Sequence, residues 1–166
     1  MIIKTNPDEF ENFVIDASNF KGNCEAVNFP ESVDEVVSIV KEANTNKTKV
    51  TIAGNGTGLT GARVPQNGIV IATDKLNRIL EINPTEYYAV IEPAVLLSDF
   101  QKELKQQNLF YPPDPTETNC YIGATVATNA SGAKTFKYGP TRDYVIGLQV
   151  ILPDGEVLDL ERRKQK

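Results

Sequence analysis

The stretch "TIAGNGTGLTGARVP", residues 51–65, constrains the fold more than any other. Four of the chain's eleven glycines lie between Gly54 and Gly61, directly after a β-branched run and just before Pro65. A strand that ends in such a cluster needs a backbone that turns sharply or comes close to a ligand. Gly56-Thr57-Gly58-Leu59-Thr60-Gly61 satisfies G-x-G-x-x-G after a strand, the pattern of a turn that opens a helix onto a dinucleotide pyrophosphate. The helix is what fails, because Pro65 and Gly68 fall where its first turns would be. A Walker A loop is excluded as well, since no lysine occurs between Lys49 and Lys75. What survives is a loop whose glycines allow positive φ and present successive N–H groups. That is an anion-binding nest with no long helix behind it, and its natural ligand is a phosphate or pyrophosphate. A tight connection with no ligand is the alternative that the glycines leave open.

The flanking sequence places this loop in an α/β setting. From Pro30, "PESVDEVVSIVKEANTN" predicts a helix: Ser32 and Glu35 form an S-x-x-E capping box, and Val33, Val36, Val37, Val40 and Ala43 recur at helical spacing. "TKVTIA" (48–53) and "GIVIAT" (68–73) read as strands on either side of the glycines. Further on, "RILEI" (78–82) and "YYAVIEP" (87–93) predict an antiparallel hairpin across the "NPTE" turn. "SDFQKELKQQ" predicts a second helix, with Ser98 and Gln101 as its capping box. The proline-rich "YPPDPTETNC" leads into "IGATVATNAS", which predicts a short helix with Gly123 and Ala124 near its start, because long structureless connections are uncommon in compact domains. Asp154-Gly155 predicts a closing hairpin within "DYVIGLQVILPDGEVLDL". The order implies a small α/β lobe followed by an α+β lobe built on an antiparallel sheet. At 166 residues and 40% hydrophobic content, the chain suffices for one such domain.

Composition removes several chemistries. Histidine is absent, which excludes a Ser-His-Asp triad, a His-ligated zinc site and a histidine general base. Cys24 and Cys120 match no metal or redox spacing and read as reduced, structural thiols. A net charge of -5 argues against a nucleic-acid surface, and the one basic cluster, "RRKQK" at 162–166, reads as a solvated tail. Asp114, Glu117, Arg142 and Asp143 are the charged residues open to a catalytic reading. Asp143 beside Arg142 reads instead as a structural ion pair, and Lys134, Lys137 and Arg142 as balance for a phosphate or as a solvated face. The first residues lack a signal-peptide layout and no window sustains a membrane-length apolar run, so the expectation is a soluble, cytoplasmic chain.

Four stretches together carry a resemblance: "GNGTGLTGA" (54–62), "RILEINPTEYYAVIEPAV" (78–95), "FYPPDPTETNCYIGATVATNASG" (110–132) and "KYGPTRDYVIGLQVILPDG" (137–155). In this order and spacing they resemble the FAD-binding domain of the vanillyl-alcohol oxidase and p-cresol methylhydroxylase (PCMH-type) superfamily. Within it they look like the branch that holds glycolate oxidase and the FAD-linked D-lactate dehydrogenases. The resemblance implies a two-lobed α+β PCMH-type fold across residues 1–166, with lobes at about 1–76 and 77–166 and FAD lying between them. It also implies that the backbone of Gly54, Asn55, Gly56, Thr57 and Gly58, with Leu59, holds the FAD pyrophosphate. Pro93, Asp114, Gly123, Ala124, Asn129 and Gly132 line the flavin and the rest of the cofactor on the same reading.

The activity implied is that of a flavin-dependent oxidoreductase acting on a 2-hydroxy acid such as glycolate or D-lactate, with hydride transfer to flavin N5. The alternative is a non-catalytic FAD- or nucleotide-binding module that needs a partner chain. A flavoenzyme like enolpyruvyl-UDP-N-acetylglucosamine reductase shares the fold class but is disfavoured by the "PPDP" block. Three positions depart from the usual pattern: Ala94, Ala124 and Ser131 stand where the family commonly has glycine. Without histidine no histidyl-flavin bond is available, so FAD is expected to bind non-covalently. Enzymes of this branch continue into a substrate domain. The expectation is therefore no catalytic residue and no metal site within residues 1–166, the remainder coming from a missing C-terminal substrate domain or a second polypeptide. On this reading a bulky residue at Gly56 or Gly58 abolishes FAD binding and leaves the fold largely intact.

Overall fold

In the computed structural model, residues 1–161 are described, and the "RRKQK" tail lies outside them. The centre of the first sheet is "IVIA", Ile69–Ala72, in which Val70, Ile71 and Ala72 are all buried. A run of consecutive buried apolar residues is what a parallel strand covered on both faces requires. This strand, β4, pairs in parallel with β2 (Ala26–Phe29) on one side and β3 (Val50–Ala53) on the other. A short antiparallel strand, β1 (Ile2–Lys4), pairs with β2 to complete the order β1-β2-β4-β3. The glycine loop is thus the crossover between two neighbouring parallel strands, and it leaves the sheet at the C-terminal end of β3.

Helix α1 (Val33–Asn46) joins β2 to β3. The Ser32 hydroxyl oxygen accepts the Glu35 N–H at 3.2 Å, as the capping box predicts. The reciprocal bond goes one residue upstream of the expected one, with Glu35 Oε2 accepting the Glu31 N–H at 2.8 Å. The buried face centres on Ile39 and Ala43, one turn apart, while Val33 from the predicted stripe is exposed.

The second half contains β5 (Ile79–Asn83) and β6 (Tyr88–Ile91), then α2 (Leu97–Gln106), α3 (Ile122–Thr128) and the single turn α4 (Thr135–Tyr138). It closes with β7 (Gly147–Ile151) and β8 (Val157–Glu161). The antiparallel pairing takes the form of two separate two-stranded ladders, β5-β6 and β7-β8. The predicted Ser98/Gln101 capping box is not made, because α2 begins at Leu97 with Leu96 at its N-cap. The reason lies outside the helix: the N–H groups of Leu97 and Ser98 donate to the carbonyls of Cys120 at 3.0 Å and Thr118 at 3.2 Å. Backbone from the segment before α3 satisfies donors that a cap would otherwise take.

Apolar residues gather into two cores. The first holds Phe10, Val27, Phe29, Ala53, Val70 and Ala72, with Phe13 set edge-on to Phe29 at 5.1 Å between ring centroids. The second holds Val95, Leu97, Phe100, Leu104, Cys120 and Ile122. Neither Cys24 nor Cys120 is in a disulfide, and burial pushes both thiols above their ordinary pKa. No helix among the described residues is long and apolar enough to cross a membrane.

Leu97 is fully buried in the second core, so Leu97→Ala should cost about 2–5 kcal/mol of stability. Ser32→Ala should cost about 1 kcal/mol through the lost cap, and Ser98→Ala should stay within about 0.5 kcal/mol because no cap is lost. Urea denaturation of the three variants checks this order.

Candidate functional site

The glycine loop is anchored from behind. The Gly56 carbonyl accepts the Ala17 N–H at 3.0 Å, and the Gly61 N–H donates to the Asp16 carboxylate. Asp16 Oδ1 also accepts the Ser18 N–H at 2.9 Å and the Ser18 hydroxyl. Burial opposes charge on Asp16, yet these hydrogen bonds and nearby Arg63 hold its carboxyl below the usual aspartate value. Arg63 completes the backing: Nη1 donates to the Gly54 carbonyl, Nη2 donates to the Asn12 carbonyl, and the guanidinium stands 5.4 Å from the Phe13 ring centroid. Burial lowers the pKa of Arg63, and the charges of Asp74 and Asp16 act in the opposite direction.

In front, the loop meets the start of α3. Asn55 Nδ2 donates to the Asn119 carbonyl at 2.6 Å, and a Cβ at Gly54 would lie 3.5 Å from the Ala124 methyl. Among the described residues, the N–H groups of Thr57, Gly58, Leu59 and Thr60 have no hydrogen-bond acceptor. A side chain at Gly58 would meet nothing within 4 Å, and Leu59 is 74% exposed. Four consecutive amides are therefore left without a protein acceptor among the described residues, on a loop anchored through Gly54 and Gly56.

A small cleft of about 180 Å³ is lined by Asp74, Asn77, Ala94, Leu96, Asp99 and Tyr121 among others, and Tyr121 also lies beside Gly54. Tyr121 donates its hydroxyl to Asp74 Oδ1 at 3.3 Å, and burial followed by the Asp74 charge raises the phenol's pKa. Among the described residues, Asp74 Oδ2 is buried without a hydrogen-bond partner, as is Arg63 Nε. A buried carboxylate oxygen left unpaired is costly.

The remaining predicted residues form two further meeting points along α3. At its start the Gly123 N–H donates to the Pro93 carbonyl at 2.8 Å, and a Cβ at Gly123 would stand 2.6 Å from the Pro93 Cβ. Beyond its end, Gly132 pairs with Pro115, and a Cβ there would fall 1.7 Å from the Asp114 carbonyl oxygen. Protein backbone thus accounts for the missing side chains at both glycines. Asn129 adopts the left-handed conformation that ends α3, and its Oδ1 accepts the Arg142 N–H at 3.0 Å. Asp114 is ion-paired with Lys134 at 3.1 Å, Glu117 accepts the Asn119 N–H at 2.7 Å, and Arg142 lies 4.0 Å from Asp143. Of the positions that depart from glycine, Ala94 is buried, Ala124 faces Gly54 and Ser131 is exposed.

Residues 24–161 match the family described as the FAD binding domain. The chain belongs to this FAD-binding domain family. It is 43% identical over 130 residues to a D-lactate dehydrogenase of Anaerostipes hadrus, covering 78% of this chain and 27% of that protein. It is 37% identical over 139 residues to a D-2-hydroxyglutarate dehydrogenase of Stutzerimonas stutzeri, covering 82% and 30% respectively. The chain therefore spans less than a third of the length of these curated relatives. Among solved structures, 6-hydroxy-D-nicotine oxidase from Arthrobacter nicotinovorans superposes with a TM-score of 0.85 at 21% identity, over 96% of this chain and 35% of that one, a likeness of fold. The cofactor of this FAD-binding domain is FAD.

Arg63, Asp16, Asp74 and Tyr121 are the site residues that sequence reasoning misses. One signal was available: Arg63 is the only charged residue between Lys49 and Asp74. The structure also separates two glycines that sequence treats alike. Gly56 has φ of +75°, and a Cβ there would stand 2.7 Å from Arg63 Nη1, whereas Gly58 is open. Gly56→Ala should therefore destabilise the apo fold by about 1–2 kcal/mol, while Gly58→Ala should leave its thermal midpoint unchanged. Differential scanning calorimetry distinguishes the two.

Proposed function

We propose that this chain is the FAD-holding part of a flavin-dependent oxidoreductase that acts on a 2-hydroxy acid, glycolate or D-lactate in type. The observation that supports the cofactor assignment is the run of N–H groups from Thr57 to Thr60 that lack an acceptor among the described residues, on a loop anchored through Gly54 and Gly56. Such a run suits the diphosphate of FAD, because several free backbone amides can stabilise an anion without a lysine. On this reading Gly54, Asn55, Gly56, Thr57, Gly58 and Leu59 form the diphosphate cradle. Pro93, Asp114, Gly123, Ala124, Asn129 and Gly132 shape the wall along α3 on which the rest of the cofactor lies.

When bound, FAD would supply the redox chemistry, as the acceptor of hydride from the substrate. The chain's own residues bind and orient; none is assigned to proton transfer. Binding is non-covalent with respect to histidine, because the chain has none. The 2-hydroxy acid follows from the relatives, whose names specify D-lactate and D-2-hydroxyglutarate. Because the matches cover 27% and 30% of those proteins, we assign the substrate-contacting groups to a further domain or a second chain. The lobes fall at about residues 1–76 and 77–166; all members of the first core precede that boundary and all members of the second follow it. A cytoplasmic location belongs to the same proposal and rests on two unbridged cysteines.

Titration with FAD tests the reading. The purified chain should turn yellow and change flavin fluorescence on binding, and Gly58→Val should weaken binding about tenfold or more with the apo melting point preserved. A protein that stays colourless and leaves flavin fluorescence unchanged overturns it.

A further inference from the structure

In a trans peptide unit the C=O and the following N–H point in opposite directions, so a carbonyl fixed inward turns the next amide outward. Two inward carbonyls hold the glycine loop: Gly56, bound by the Ala17 N–H, and Gly54, bound by Arg63 Nη1. The first lies in local backbone, but the second depends on one side chain whose other arm, Nη2, holds the Asn12 carbonyl 51 residues away in sequence. A guanidinium presents two donors in a rigid fork, which is what bridging two carbonyls at fixed separation requires. Phe13 covers its face, and Gly56 has no Cβ where Nη1 passes.

We propose that Arg63 is the positioning residue of the diphosphate cradle: it ties the Gly54 and Asn12 carbonyls together behind the loop, so that the Asn55 amide is turned away from it and the start of the loop is held in place for the ligand. The inference rests on the FAD reading above and goes beyond it, because Arg63 lies outside the glycine motif and acts through backbone. Its positive charge, on the inner side of the loop, adds attraction for a diphosphate on the outer side. Asp16, which holds Ser18 and Gly61, keeps the backing segment in place beside it.

Arg63→Met and Arg63→Lys separate positioning from general scaffolding. Both variants and the unaltered chain are titrated with FAD and with riboflavin, which carries the same ring and ribityl chain without phosphates, while circular dichroism follows melting of the apo protein. Arg63→Met should weaken FAD binding about tenfold or more with riboflavin affinity unchanged, so that the preference for FAD shrinks. Arg63→Lys should recover part of that preference, since it keeps the charge but not the fork. A folded Arg63→Met variant with the original preference for FAD overturns the proposal, and so does an equal loss for FAD and riboflavin. Where Arg63→Met does not fold, Arg63→Lys decides: a reduced preference supports the fork, and an undiminished one refutes it. If the unaltered chain binds no FAD, the cofactor reading falls and this inference with it. If it binds FAD and the Arg63 variants match it, this inference alone falls.

Discussion

The carbonyl oxygens of Gly54 and Asn12 converge on the guanidinium of Arg63, and the shape of the candidate site follows from that convergence. A half-buried guanidinium is tolerated only where its charge is balanced and its donors are used. Here Asp16 and Asp74 supply opposite charge, and two of its nitrogens reach carbonyls. The consequence is mechanical as well as electrostatic. The N-terminal segment around residues 12–18 is fastened to the far side of the glycine loop, through Asn12 to Arg63, Ala17 to Gly56 and Asp16 to Gly61. Among the described residues, the amides of Thr57 to Thr60 are left without a protein acceptor.

The other half of the site depends on how closely backbone segments cross around α3. Cys120 and Thr118 take the first donors of α2, Gly123 rests on Pro93, and Gly132 rests on Asp114. These contacts fix α3 to the segment after the β5-β6 hairpin and to the proline-rich segment, and Asn119 and Ala124 meet Asn55 and Gly54 directly. The two apolar cores are thereby joined through polar and backbone contacts at the loop. A second link lies elsewhere, where Lys41 of α1 runs under Gly155 in the β7-β8 turn. Small residues in this family stretch thus serve two ends: Gly58 leaves space open in front of the loop, while Gly123 and Gly132 let protein backbone pass.

Much of the fold was legible because it is governed locally. The Ser32 cap, the strands flanking the glycines, the hairpin turns and the short helix after Tyr121 all follow from patterns that span a few residues. The failure at Ser98 has the opposite cause: the capping pattern was present, but carbonyls of residues 118 and 120, about twenty residues away in sequence, reached the helix donors first. Likewise the valine pattern of α1 gave the helix but not Ile39 as its most buried side chain, because sheet and helix geometry set depth. The glycine motif located the loop, and the resemblance pointed to its cofactor. Neither distinguished Gly56 from Gly58, since a clash with Arg63 exists only once the chain has closed.

By itself, then, the sequence determined that a strand enters a glycine loop with no helix behind it, because Pro65 forbids the helix by steric exclusion within its own neighbourhood. It also determined that no histidine chemistry operates in this chain. Only the tertiary structure decided what holds the loop. Arg63 ties the Gly54 carbonyl to Asn12 and the Ala17 N–H holds the Gly56 carbonyl, and no local rule carries the position of Asn12 or Ala17 to a loop some forty residues later.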